Sequence, residues 1–142
     1  MLLVVTILSL LVGISYPAIA SGIESLRIGG TADEIAALLN GALNRAERRQ
    51  HGVEVIVVTG QPQRVVADSF EPGFQRTVEI PQNVRILDVQ PPGPEAGGGR
   101  RFLVFPGGSP PRIAILLGNA RGDRRLVRVD PVSGAPLIEK PQ

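Results

Sequence analysis

The chain has no cysteine, no tryptophan and a single histidine, His51. Without cysteine there are no disulfides, no thiolate chemistry and no Cys-based metal site. One histidine cannot build a His-based metal set. It leaves no Ser/His/Asp or Cys/His arrangement beyond what His51 alone carries. Asp68, Glu71, Asp88 and Asp130 lack the spacing of a Ca²⁺ loop. Gly97–Gly99 lacks the Lys and Ser/Thr of a phosphate loop. No two carboxylates are spaced in a way that argues for acid/base work. The sequence thus predicts no catalytic residue, no cofactor and no metal, and a protein that is not an enzyme. Charge is absent from one region altogether: Met1–Ile23 carries no charged side chain, and all 15 basic and 13 acidic residues follow it.

What is present divides in the same way. The chain has 142 residues, the length of one small domain. Its mean hydropathy of +0.15 owes its sign to the charge-free front. As a helix, Met1–Ile23 would be ~35 Å long, enough for a hydrocarbon core of ~30 Å. Two readings stay open. One is a retained membrane helix. The other is a secretory signal cut after Ala20, because Ala18-Ile19-Ala20 fits the small-residue cleavage pattern. Against cleavage, no basic segment precedes the apolar run, and the run is longer than a usual signal core. Pro17 removes one backbone bond and predicts a kink. Gly13 is a small residue that allows close helix approach.

Beyond Glu24 the pattern becomes amphipathic. Gly29-Gly30 predicts a break, and Thr31 with Glu34 has capping-box spacing, so a helix is expected to restart at Thr31. Ile35, Leu38, Leu39, Ala42, Leu43 and Ala46 form one apolar stripe. Gly52 fits a C-terminal cap, with His51 a capping or surface residue. From Val53 the period shifts to that of strands. Candidates are Val53–Thr59, Arg64–Ala67, Thr77–Ile80, Val84–Val89, Arg101–Phe105, Arg112–Leu117, Arg125–Val129 and Pro136–Ile138. Turn-forming Gly (17 in the chain) and Pro (13) crowd the separators. Pro91–Gly99 reads as a flexible loop. The expected fold is α+β: a long N-terminal helix packed on a mostly antiparallel β-sheet domain. Residues 1–23 are the transmembrane helix, 24–52 its amphipathic extension and 53–142 the β domain.

This plan resembles that of type IV pilin-like proteins. Phe105-Pro106-Gly107-Gly108-Ser109 is similar to the F-P-x-G-S turn of the H-type minor pseudopilins of type II secretion. Arg128–Gly134 (RVDPVSG) is similar to their closing V-D-x-x-[ST]-G hairpin, and Ala32–Val58 resembles their helix-to-first-strand stretch. The resemblance implies a single-pass inner-membrane protein with its β domain in the periplasm. It also implies assembly with other pseudopilins or pilins through the N-terminal helix, and contact with a secretion assembly platform. Minor pilins of type IV pili share the pattern. The basic leader, the Gly at the cleavage point, the apolar residue that becomes methylated and the Glu after it have no counterpart here. Two readings follow: a natural start upstream of Met1, or a real truncation or divergence that would put cleavage, methylation and Glu-guided assembly in doubt.

Charge in the β domain is uneven. Arg100, Arg101, Arg112, Arg121, Arg124, Arg125 and Arg128 stand against one acid, Asp123, in the segment they span. They form a candidate basic contact face, for acidic neighbouring subunits or for phosphates. Only Phe102 and Phe105 fall among them, too few aromatic residues to stack a run of bases, which argues against nucleic acid as the partner. Arg121-Gly122-Asp123 spells an adhesion tripeptide, but it falls between two strand candidates, where a turn requires such residues.

Overall fold

The computed structural model describes residues 1–142. Helix α1 runs unbroken from Leu2 to Arg49. Eight strands follow: β1 (Val53–Val58), β2 (Arg64–Ser69), β3 (Gln75–Glu79), β4 (Val84–Gln90), β5 (Gly99–Val104), β6 (Ala114–Asn119), β7 (Arg124–Val129) and β8 (Pro136–Glu139). They make two four-stranded sheets, ordered β3-β2-β1-β5 and β4-β6-β7-β8. Every pairing is antiparallel. The α+β class is as expected; the division into two sheets is new.

The predicted break at Gly29-Gly30 does not occur. Two helical glycines cost about 2 kcal/mol relative to alanine. The turns around them bury Ile28 and Ile35 completely, worth about 1.5–3 kcal/mol each. Packing therefore outweighs propensity, and the helix runs through. The capping box at Thr31 fails with it. The Thr31 hydroxyl instead donates to the Arg27 carbonyl at 2.9 Å, within the helix. The predicted cap at Gly52 is also displaced. Gln50 takes the left-handed conformation (φ 54°), and its side chain donates to the Glu47 carbonyl at 2.6 Å. His51 Nδ1 lies 2.6 Å from the Arg49 carbonyl, as a capping residue does. The helix continues through Pro17.

The stripe that α1 buries begins about two turns earlier than its sequence pattern suggests. It comprises Ile28, Thr31, Ala32, Ile35, Leu38, Leu39, Ala42 and Ala46, while Leu43 is only partly buried. Both sheets meet this stripe, and helix and sheets share one core. Strand alternation supplies the rest: Val53, Val55 and Val57 of β1, Val65 and Ala67 of β2, Ile115 and Leu117 of β6, and Val127 and Val129 of β7. In β4 a bulge between Ile86 and Asp88 shifts the register. Val89 rather than Asp88 then follows Val84 and Ile86 into the core. Leu87 lies over Gly118, where an added Cβ would fall 2.6 Å from its Cδ1.

Candidate functional site

Helix α1 has two environments. From residue 28 its stripe is packed against the sheets. Before that it stands free: the 18-residue window apolar enough to cross a membrane is not buried at all. Leu2, Leu3, Leu10, Leu11, Val12, Ile14, Tyr16 and Ile19 are all more than half exposed. One helix is thus long and apolar enough to cross a membrane. Gly13 lies in this half with open space where a Cβ would stand, and Pro17 lies one turn on.

Two places join the helix to the β domain with polar contacts. Near the end of the apolar half, Arg121 Nε lies 2.7 Å from Glu24 Oε2. The alignment is not that of a hydrogen bond, so the contact is chiefly electrostatic. It brings the turn between β6 and β7 against the first charged residue after the apolar run. That turn is built on Asn119. Its side-chain oxygen accepts the Arg121 and Asp123 backbone N–H groups at 3.1 and 3.0 Å. Its amide donates to Asp123 Oδ2 at 3.0 Å. The tripeptide Arg121-Gly122-Asp123 is this turn, with Gly122 at φ 88°.

At the other end of the helix, the turn Phe105–Ser109 and the closing hairpin Arg128–Gly134 come together. Asn40, Asn44 and Glu47 of α1 face Phe105 and Ser109 of one and Ser133 of the other across an open groove of about 310 Å³. Glu47 Oε1 accepts the Gly107 N–H at 2.9 Å. Gly134 abuts Pro110: a Cβ there would lie 3.3 Å from the proline ring. The second segment is closed by Asp130, whose carboxylate accepts the Val132 N–H at 3.0 Å and the Ser133 hydroxyl at 2.9 Å. These bonds hold its pKa below the usual carboxylate range, the Val132 amide contributing most. On the neighbouring strand Arg128 donates through Nε and Nη2 to Glu139 Oε1 at 2.9 and 2.6 Å. That bond lowers the Glu139 pKa and raises that of Arg128.

The seven candidate basic residues are not gathered on one strand or one sheet. Arg100 and Arg101 lie on β5 of the first sheet, while Arg124, Arg125 and Arg128 lie on β7 of the second. Arg101 pairs with Glu54 at 3.1 Å. Arg100 donates to the Gly93 carbonyl at 3.2 Å and stacks over Phe102. Arg112 is exposed ahead of β6. Only Arg121, Arg124 and Arg125 are brought together, around the β6–β7 turn. Helical periodicity puts Arg45 on the polar face of α1 and gives no sign of its contacts. It lies over the Phe74 ring, 5.1 Å from the centroid, and its Nη2 is 3.9 Å from Glu71 Oε2. Phe70 and Phe105, both more than half exposed, converge over Gly52. Only the tertiary fold reveals that pair.

No protein-family model, curated protein or solved structure matches this chain.

Proposed function

We propose that the chain is a structural subunit of the minor pseudopilin type, held in the inner membrane by residues 2–23 with its β domain in the periplasm. Its helix enters a filament that supports protein secretion. The observation that carries the reading is the division of one unbroken helix into a free apolar half and a half packed on the β domain. Outside lipid the apolar half is not stable alone in water, and neighbouring helices of the same kind are what cover it in a filament. The convergence of Phe105–Ser109 with Asp130–Gly134 at the far end of the helix supports the reading further. It accounts for why a chain of this plan would keep both turns. Partners are other pseudopilins or pilins through α1, and the machinery that extracts them from the membrane. A minor pilin of a type IV pilus would use the same geometry.

The chain has no cysteine, but a photoreactive side chain tests the idea without needing one. A benzophenone amino acid in place of Ile14, irradiated in native membranes, is expected to give adducts with other single-helix subunits, identified by mass spectrometry. Adducts with lipid alone would sink the filament reading and leave a membrane-anchored β domain.

A further inference from the structure

The β6–β7 turn lies beside Glu24, the first charged residue after the apolar run. Residues 2–23 cover ~33 Å as a helix, against a hydrocarbon core of ~30 Å. Glu24 therefore stands where the lipid headgroups begin, and its 2.7 Å contact with Arg121 holds the turn at that depth. Arg124 and Arg125 open β7 immediately after it. Arg85 of β4 pairs with Gly118 of β6, which pairs in turn with Arg124, and Arg27 lies one helical turn past Ile23. Arg27, Arg85 and Arg124 are exposed, and Arg125 is half-buried.

The acids here are already engaged. Glu24 is taken up by Arg121; Asp123 is held within the turn by the Asn119 side chain and keeps its charge, one acid against four arginines. None of Arg27, Arg85, Arg124 and Arg125 makes an ion pair; the four in the molecule use other arginines. Arg125 donates through Nη1 to the Arg124 carbonyl at 2.8 Å, but none of the four has a carboxylate partner, and a rim of such guanidinium groups at headgroup depth is matched in charge and geometry to phosphate oxygens. Leu26, 76% exposed, adds an apolar side chain at the same level.

We propose that this rim, with Arg124 and Arg125 at its centre and the Arg121–Glu24 contact fixing its depth, docks the β domain onto the anionic phospholipid headgroups of the membrane that holds residues 2–23. The proposal rests on the membrane reading of α1. It adds that the domain lies against the bilayer surface and does not project freely from it. Each arginine near an anionic surface strengthens binding about fivefold at physiological salt. The effect fades as the screening length falls to about 3 Å in about 1 M salt.

The test uses the full chain in nanodiscs of phosphatidylcholine with or without phosphatidylglycerol. Single cysteines carrying a fluorophore are placed at Leu10, Ala120 or Val132, and quenching lipids carry a spin label in the acyl chain or on the headgroup. The Leu10→Cys label should be quenched by the acyl-chain probe in both discs. If it is not, the membrane reading fails and the docking proposal with it. The Ala120→Cys label should be quenched by the headgroup probe at least about twofold more in phosphatidylglycerol discs. That excess should vanish in about 1 M salt, and the Val132→Cys label at the far end should not show it. The Arg124→Gln/Arg125→Gln double variant keeps the Arg121–Glu24 contact and should lose most of the excess. Equal Ala120 quenching in both discs, or an excess unchanged in the double variant, overturns the proposal while leaving the Leu10 result to stand.

Discussion

Glu47 on the last turns of α1 accepts the backbone N–H of Gly107, sixty residues on, at 2.9 Å. This bond clasps the turn after β5 to the helix, beside the groove where the closing hairpin also arrives. Glu47→Ala should lower stability by about 1 kcal/mol, the net worth of one such bond. Urea unfolding of the full chain in detergent reads it. Glu47→Gln keeps an acceptor and should recover most of the loss.

Gly29 and Gly30 lie inside the helix with open space around the position of a Cβ. Replacing both with alanine should raise stability by about 1–2 kcal/mol, because the unfolded chain loses freedom and no neighbour is crowded. A loss of stability in the same unfolding measurement would mean that the helix bends there after all.

Gly99 and Gly52 make a contrasting pair. At Gly99 a Cβ would lie 2.8 Å from the Val57 carbonyl oxygen, which is backbone. Gly99→Ala must therefore push β5 away from β1, and a cost of about 1–3 kcal/mol is expected. At Gly52 the added Cβ would meet the Phe70 ring at 2.6 Å, but that ring is 58% exposed and can swing out. Gly52→Ala should be nearly neutral by thermal melting.

Acid should loosen the closing hairpin first. Asp130 and Glu139 both have pKa values held below their ordinary range by hydrogen bonds of the folded state. Groups of this kind add stability that is fully present above the unfolded-state pKa and is lost as pH falls through the folded one. Between neutral pH and the usual carboxylate range these two residues contribute no pH dependence. Below that range stability should decline, and amides of Val132 and Gly134 should lose hydrogen-exchange protection. Asp130→Asn should flatten that decline.

Removing residues 1–23 should leave a folded, water-soluble monomer. Every residue of the core cluster lies at Ile28 or beyond, so the deletion takes no packing with it. Size-exclusion chromatography with circular dichroism of residues 24–142 checks this. Aggregation would mean that the apolar half also supports the β domain.

Local patterns in the chain account for most of the elements. Val53, Val55 and Val57 alternate because one face of β1 is buried, and that period is plain in the order of the residues alone. The charge-free run, its length and the strand positions are legible for the same reason: each is set by residues close in sequence. The misreadings arise where distant residues outbid local ones. Gly29-Gly30 has the composition of a break, yet Ile28 and Ile35 pack against the sheets and hold the helix through it. Gly52 has the character of a cap, yet the Phe70 ring lies 2.6 Å from where its Cβ would be, and Gln50 takes the left-handed position.

The candidate site divides along the same line. The apolar half of α1, with Gly13 and Pro17, is a property of composition and needs no fold to be recognised. The arginines of residues 100–128 read as one basic stretch, because sequence distance carries no information on which sheet a strand joins. Sheet pairing sends Arg100 and Arg101 to one sheet and Arg124, Arg125 and Arg128 to the other. The Glu24–Arg121 contact spans 97 positions and places one turn of the β domain beside the end of the apolar run. By itself the sequence determined the apolar helix, the strands and the absence of cysteine chemistry, because hydrophobic periodicity and composition act locally. The tertiary structure alone decided the unbroken helix, the two sheets and the position of the arginine rim, because these depend on burial and pairing between segments far apart in the chain.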